Sequence, residues 1–113
     1  MNNPLTAPIA GTQLVRVVAS VSPEAEVESV PATTETVTLL KANPHRVGAI
    51  VYNDSPGRLY LKFGPGASDT SHTVALTAHA LYEVPYGFPG ELSGVWSQAT
   101  GSARVTEVVT QEP

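Results

Sequence analysis

From Thr36 onward the chain alternates short β-rich runs with turn chemistry at intervals of about eight to twelve residues, the texture of a sandwich or barrel. The runs predict about seven strands, at residues 36–40, 48–53, 58–63, 72–76, 80–84, 91–96 and 103–109. The clearest alternation is in 58–63, where Leu59, Leu61 and Phe63 fall on one face and Arg58, Tyr60 and Lys62 on the other. Breaks between runs have a chemical cause. Asn43-Pro44 ends the first run, because proline disfavours helix in the residue before it. Asn53-Asp54-Ser55-Pro56-Gly57 and Gly64-Pro65-Gly66 close the next two, and Gly101 is available for a positive φ in the last hairpin. No segment places apolar residues at i, i+3, i+4 and i+7 for long enough to make a helix. The expected fold is all-β: an antiparallel β-sandwich, jelly-roll-like or a partly open barrel of the same strands.

The first 34 residues have a different texture. They hold four prolines (Pro4, Pro8, Pro23 and Pro31), no aromatic residue, and an acidic stretch, Ser22-Pro23-Glu24-Ala25-Glu26-Val27-Glu28. Such a segment cannot build its own core. It reads as an extended N-terminal arm (1–34) ahead of a sandwich domain (35–113). Within the arm, Leu14, Val15, Arg16, Val17 and Val18 have strand propensity, and an isolated strand is stable only when it pairs with another sheet edge, in the same chain or a neighbour.

Composition narrows the function classes. A chain of 113 residues has room for one core, and with no cysteine neither disulfides nor a thiolate metal site can stabilise it. The net charge is −4, and the six cations (Arg16, Lys41, Arg46, Arg58, Lys62 and Arg104) are scattered, so no basic stripe offers itself to a phosphate backbone. No apolar run approaches the roughly 20 residues of a membrane span. Residues 1–20 lack the basic and continuous apolar regions of a signal peptide, which suggests synthesis in the cytoplasm.

Searches for chemistry return the plainer explanation each time. His45, His72 and His79 have no HxH or HExxH spacing and read as solvated residues beside loops. Asn53-Asp54-Ser55 reads as a turn whose side chains bond local backbone rather than as part of a catalytic triad. Asp54, Asp69, Glu83 and Glu91 read as strand-end carboxylates. The expectation is no enzyme, no cofactor and no metal. Of the aromatics, Trp96 reads as core, while Tyr86 and Phe88, in a loop rich in Pro and Gly, are the candidates for contact with a partner.

An ordered series of segments carries a resemblance. These are Ala42-Asn43-Pro44-His45-Arg46, Val51-Tyr52-Asn53-Asp54-Ser55, Leu59-Tyr60-Leu61-Lys62-Phe63-Gly64, Tyr82-Glu83-Val84-Pro85, Gly90-Glu91-Leu92-Ser93-Gly94-Val95-Trp96 and Val105-Thr106-Glu107. Together, over residues 40–107, they resemble a recurring type of small tailed-bacteriophage virion protein. The resemblance implies a minor structural or head-associated component, and it transfers no catalytic residues. On this reading the chain is made in the host cytoplasm and ends in the virion. There it would act as a capsid decoration or cement protein, present in many copies or as a homo-oligomer, binding the major capsid protein or another virion protein. Its means of attachment would be the arm, by strand addition through residues 14–18. The alternative is a tail or surface module that binds a receptor or glycan through Tyr86 and Phe88.

Overall fold

The structure, a computed structural model, describes residues 22–111. These residues form eight strands and no helix: β1 (Ser22–Pro31), β2 (Val37–Leu40), β3 (Arg46–Asp54), β4 (Leu59–Phe63), β5 (Val74–Leu76), β6 (Leu81–Val84), β7 (Leu92–Trp96) and β8 (Ser102–Gln111). The strands make two antiparallel four-stranded sheets, ordered β1-β8-β3-β6 and β2-β7-β4-β5, which do not close into a barrel. Each of the seven strands expected from the sequence is present.

The pairing is nested. β1 pairs with β8, β2 with β7, β3 with β6 and β4 with β5, as if one long hairpin had been rolled up. Pairing of β8 with β3 and of β7 with β4 then joins the turns of the roll into sheets. Eight strands wound this way are a jelly roll. Side chains follow the pleat. Ala49 and Val51 of β3, Ala103 and Val105 of β8, Leu59 and Leu61 of β4, and Leu92 and Trp96 of β7 are all buried in one core. Each large aliphatic residue buried there stabilises the fold by roughly 1.5–3 kcal/mol.

β7 is buried on both faces. Its outward side is covered by the loop of residues 64–73, where the amide of Ala67 donates to Ser93 Oγ (3.1 Å) and Ser93 Oγ donates to the Gly64 carbonyl (2.6 Å). The long β4–β5 connection therefore acts as a lid on the second sheet.

The structure differs from the sequence reading at the domain boundary. Residues 22–31, read as part of the arm, are the first strand of the roll, in register with β8 from Ser22↔Gln111 to Pro31↔Ser102. The physical reason is position: β1 is the outermost strand of its sheet among the described residues, and proline and exposed carboxylates are tolerated there as they are not in a central strand. Pro23 and Pro31 stand near its two ends, and Glu24, Ala25, Glu26, Val27 and Glu28 alternate between them with period two. Leu14, Val15, Arg16, Val17 and Val18 lie outside the described residues.

Candidate interaction surface

Strand β3 has a buried polar residue at each end, and the two hold the loops at opposite ends of the sandwich. At its C-terminal end is Asn53, wholly buried. Its Nδ2 donates to the carbonyls of Gly57 (2.9 Å), Leu76 (3.1 Å) and Thr77 (3.0 Å). Its Oδ1 accepts from Ser55 Oγ (2.7 Å) and Trp96 Nε1 (3.1 Å). Asn53 and Asp54 are the last two residues of β3, paired with Ala103 and Ser102, so the chain bends later than expected, at residues 55–57, and Asn53 is the polar centre of the core. Ser55 Oγ bonds Asn53 and Gly57 and no imidazole. Asp54 faces outward, with Arg104 Nε at 3.3 Å and His79 Nδ1 at 4.0 Å.

At the N-terminal end is Arg46, whose side chain is fully buried. Nε donates to Glu107 Oε2 at 2.9 Å, Nη1 to the carbonyls of Phe88 (3.1 Å) and Gly90 (2.7 Å), and Nη2 to the carbonyl of Lys41. The planar fork of arginine suits this because its donors point in fixed, diverging directions. Asn43 adds to the same network: its amide donates to the Pro89 carbonyl (2.8 Å) and its Oδ1 accepts from the amide of His45 (2.9 Å).

These bonds fix the loop that carries Tyr86. The amide of Phe88 donates to the Pro85 carbonyl (3.2 Å), and Gly87 between them has φ +81°, the left-handed value that the third position of a type II turn requires. The amide of Gly87 donates to the Val47 carbonyl (3.1 Å), joining the turn to β3. Tyr86, at the second position, is 85% exposed. Phe88 has a different role: it is half-buried, packs against the core and stacks on Phe63 with ring centroids 4.7 Å apart. The structure thus separates the two aromatics that the sequence offered together.

Tyr86 borders a shallow depression of about 390 Å³ on the outer face of the first sheet, lined also by Ile50, Glu83, Pro85 and Val108. The register continues this face across the sheet, with apolar and polar residues mixed along it. Val27 lies opposite Thr106, which lies opposite Ile50, and Ala25 lies opposite Val108. Val27 is 65% exposed, and Leu81 at the far edge is 61% exposed. None of these strand residues stood out in the sequence, because which face of a strand points outward is set by the register.

Ser22, where residues 1–21 join the described chain, is at this same end. It pairs with Gln111, the neighbouring Thr110 amide donates to the His45 carbonyl (3.0 Å), and Arg46 adjoins the Tyr86 loop. The three histidines are exposed, and among the described residues no three His, Asp or Glu side chains are grouped to hold a metal. A second depression, of about 580 Å³, lies on the other sheet beside Thr36, Tyr60 and Asp69. Trp96 borders it but is 2% exposed, so its ring offers no stacking platform there.

No family model, curated protein or solved structure matches this chain.

Proposed function

We propose that the chain is a non-enzymatic structural protein of a tailed-phage virion, of the capsid decoration type. It holds neighbouring subunits through its N-terminal segment and the sandwich end beside that segment. The observation that carries this reading is the convergence, at one end of the jelly roll, of Ser22, the exposed ring of Tyr86 and the shallow depression beside it lined by Ile50, Pro85 and Val108. An aromatic held rigidly on a fixed turn loses little entropy when it is buried by a partner. The fold is in keeping with this, since jelly rolls serve as capsid domains, but they also serve as lectins and enzymes, so the argument rests on the surface.

The test is made on particles of the phage that encodes the chain. Lysates are resolved on density gradients and the chain is followed by antibody, alongside a version lacking residues 1–21 and a Tyr86→Ser version. Full-length chain is expected to co-sediment with filled heads, and both altered chains to remain at the top of the gradient. Full-length chain that remains at the top overturns the reading. Labelling at the tail tip in electron micrographs, instead of over the capsid, replaces it with receptor or glycan binding.

A further inference from the structure

The depression of about 580 Å³ on the outer face of the second sheet has a floor and two fixed walls. Its floor is Tyr60 of β4 and Val95 of β7, which stand opposite each other on neighbouring strands. One wall carries Thr34 and Thr36, and the chain there is held by the amide of Trp96 donating to the Thr33 carbonyl (2.8 Å). The other wall is the loop at Ala67, Ser68 and Asp69. Ser93 Oγ ties that loop to the sheet by accepting from the amide of Ala67 (3.1 Å). The loop is closed on itself by the amide of Ser68, which donates to the Ser71 carbonyl (2.8 Å), and by the amide of Ser71, which donates to Ser68 Oγ (2.9 Å). The volume lies in the range of small-molecule sites, which are usually formed before the ligand arrives.

The groups that face this space are of three kinds. Tyr60 is half-exposed, and its ring is propped by His72, with centroids 4.9 Å apart; His72 Nδ1 is in turn 3.0 Å from the Ser68 carbonyl. Asp69 is exposed, and no ion pair among the described residues reaches it. Thr34, Thr36 and Ser97 bring hydroxyls. Among the described residues no Lys or Arg lines the depression.

Each kind selects among ligands. Without a cation the depression does not favour a phosphate or a carboxylate, and Asp69 repels both. A peptide strand is disfavoured too, because β4 and β7 are interior strands whose backbone groups are paired on both sides. A neutral ligand with an apolar face and several hydroxyls fits. The tyrosine ring covers a face made of C–H groups. A carboxylate only accepts, so it takes two neighbouring hydroxyl donors, whereas Ser and Thr hydroxyls rotate to donate or accept.

We propose that this depression is a binding site for a neutral saccharide, whose ring lies against Tyr60 and whose adjacent hydroxyls donate to Asp69. Thr34, Thr36 and Ser97 complete its hydrogen bonds. The site goes beyond the virion reading and does not depend on it. It lies on the opposite sheet from the depression beside Tyr86, so a neighbour seated on that first surface leaves it open.

The test is a titration of the isotope-labelled full-length protein, followed by its amide spectrum, with maltotriose, cellotriose and tri-N-acetylchitotriose, and with sialyllactose as an acidic control. At least one neutral sugar is expected to shift the amides of Thr34, Tyr60 and Asp69 saturably at millimolar concentration, and the acidic one to give no saturable shift there. Tyr60→Ala and Asp69→Ala are each expected to weaken binding at least about tenfold, while Tyr60→Phe, which keeps the ring, retains it. Trp96 fluorescence confirms that each variant is folded. Absence of a saturable shift with all three neutral sugars, saturation by sialyllactose alone, shifts centred on Tyr86 instead, or an affinity unchanged in both alanine variants overturns the proposal. No particle enters this assay, so its failure alongside normal co-sedimentation with heads leaves the virion reading standing.

Discussion

Every polar atom of the Asn53 side chain has a partner inside the core, and that makes it the residue whose loss is most costly for its size. Replacing it by alanine leaves the Trp96 indole N–H without an acceptor and the carbonyls of Leu76 and Thr77 without this donor. A buried polar group left unsatisfied costs about 1–3 kcal/mol, so Asn53→Ala is expected to destabilise the fold by about 2–3 kcal/mol. The readout is urea unfolding followed by the fluorescence of Trp96, the single tryptophan, with a lower midpoint at unchanged slope. At the other end of β3, Arg46→Met removes the cation from Glu107 and the donors from Lys41, Phe88 and Gly90. Removing one partner of a buried ion pair costs about 3–5 kcal/mol, and Arg46→Lys is expected to recover only part of that, because one ammonium cannot reach diverging acceptors. The same urea assay ranks the two variants. Neither role was legible in the sequence. An Asn before Asp-Ser-Pro-Gly looks the same whether solvated or buried, and its partners at Leu76 and Trp96 are 23 and 43 residues away. Arg46 bonds Phe88, Gly90 and Glu107, which are 42, 44 and 61 residues away.

Among the elements, what the sequence carried well was the set of strands with apolar alternation and turn residues at their ends. β4 is the plainest case, with Leu59 and Leu61 inward and Tyr60 and Lys62 half-exposed. β1 escaped because its identity comes from its partner: Pro23, Glu24, Glu26 and Glu28 argue against a strand anywhere except along an edge. The loop before β7 was legible as a turn, but only the hydrogen bonds of Arg46 and the stacking on Phe63 decide that Tyr86 points out and Phe88 in. This loop makes its own prediction. At Gly87 a Cβ would meet nothing within 4 Å, so Gly87→Ala tests the backbone alone. A non-glycine residue held at φ +81° costs roughly 1–2 kcal/mol, and the variant is expected to lose about that much in urea unfolding. The strain falls on the turn that presents Tyr86, so the same variant is also expected to associate less with heads on the gradient. Loss of stability with full association would mean that the partner does not read this turn.

In the whole molecule, the nested pairing makes the first and last strands one structural unit, although they stand at opposite ends of the described chain. This decides where the N-terminal segment can be cut. Val30 packs on the core from β1, Ala32 is itself buried, and the Thr33 carbonyl accepts the amide of Trp96 at 2.8 Å. Removing residues 1–34 takes all of these away and leaves β8 as a bare edge carrying Ala103 and Val105, which are then open to water and to other chains. Removing residues 1–21 touches none of them. The shorter deletion is therefore expected to unfold cooperatively at a urea midpoint close to that of the full chain. The longer one is expected to aggregate or to show no cooperative transition, read by Trp96 fluorescence together with light scattering. The comparison is informative because the sequence alone put the boundary at residue 34, and the two deletions differ chiefly by β1. A version lacking residues 1–34 that unfolds like the full chain would make β1 an appendage of the sandwich. Loss of folding in that version alone would make β1 the outer wrap of the roll, and only residues 1–21 would then be free to serve a partner.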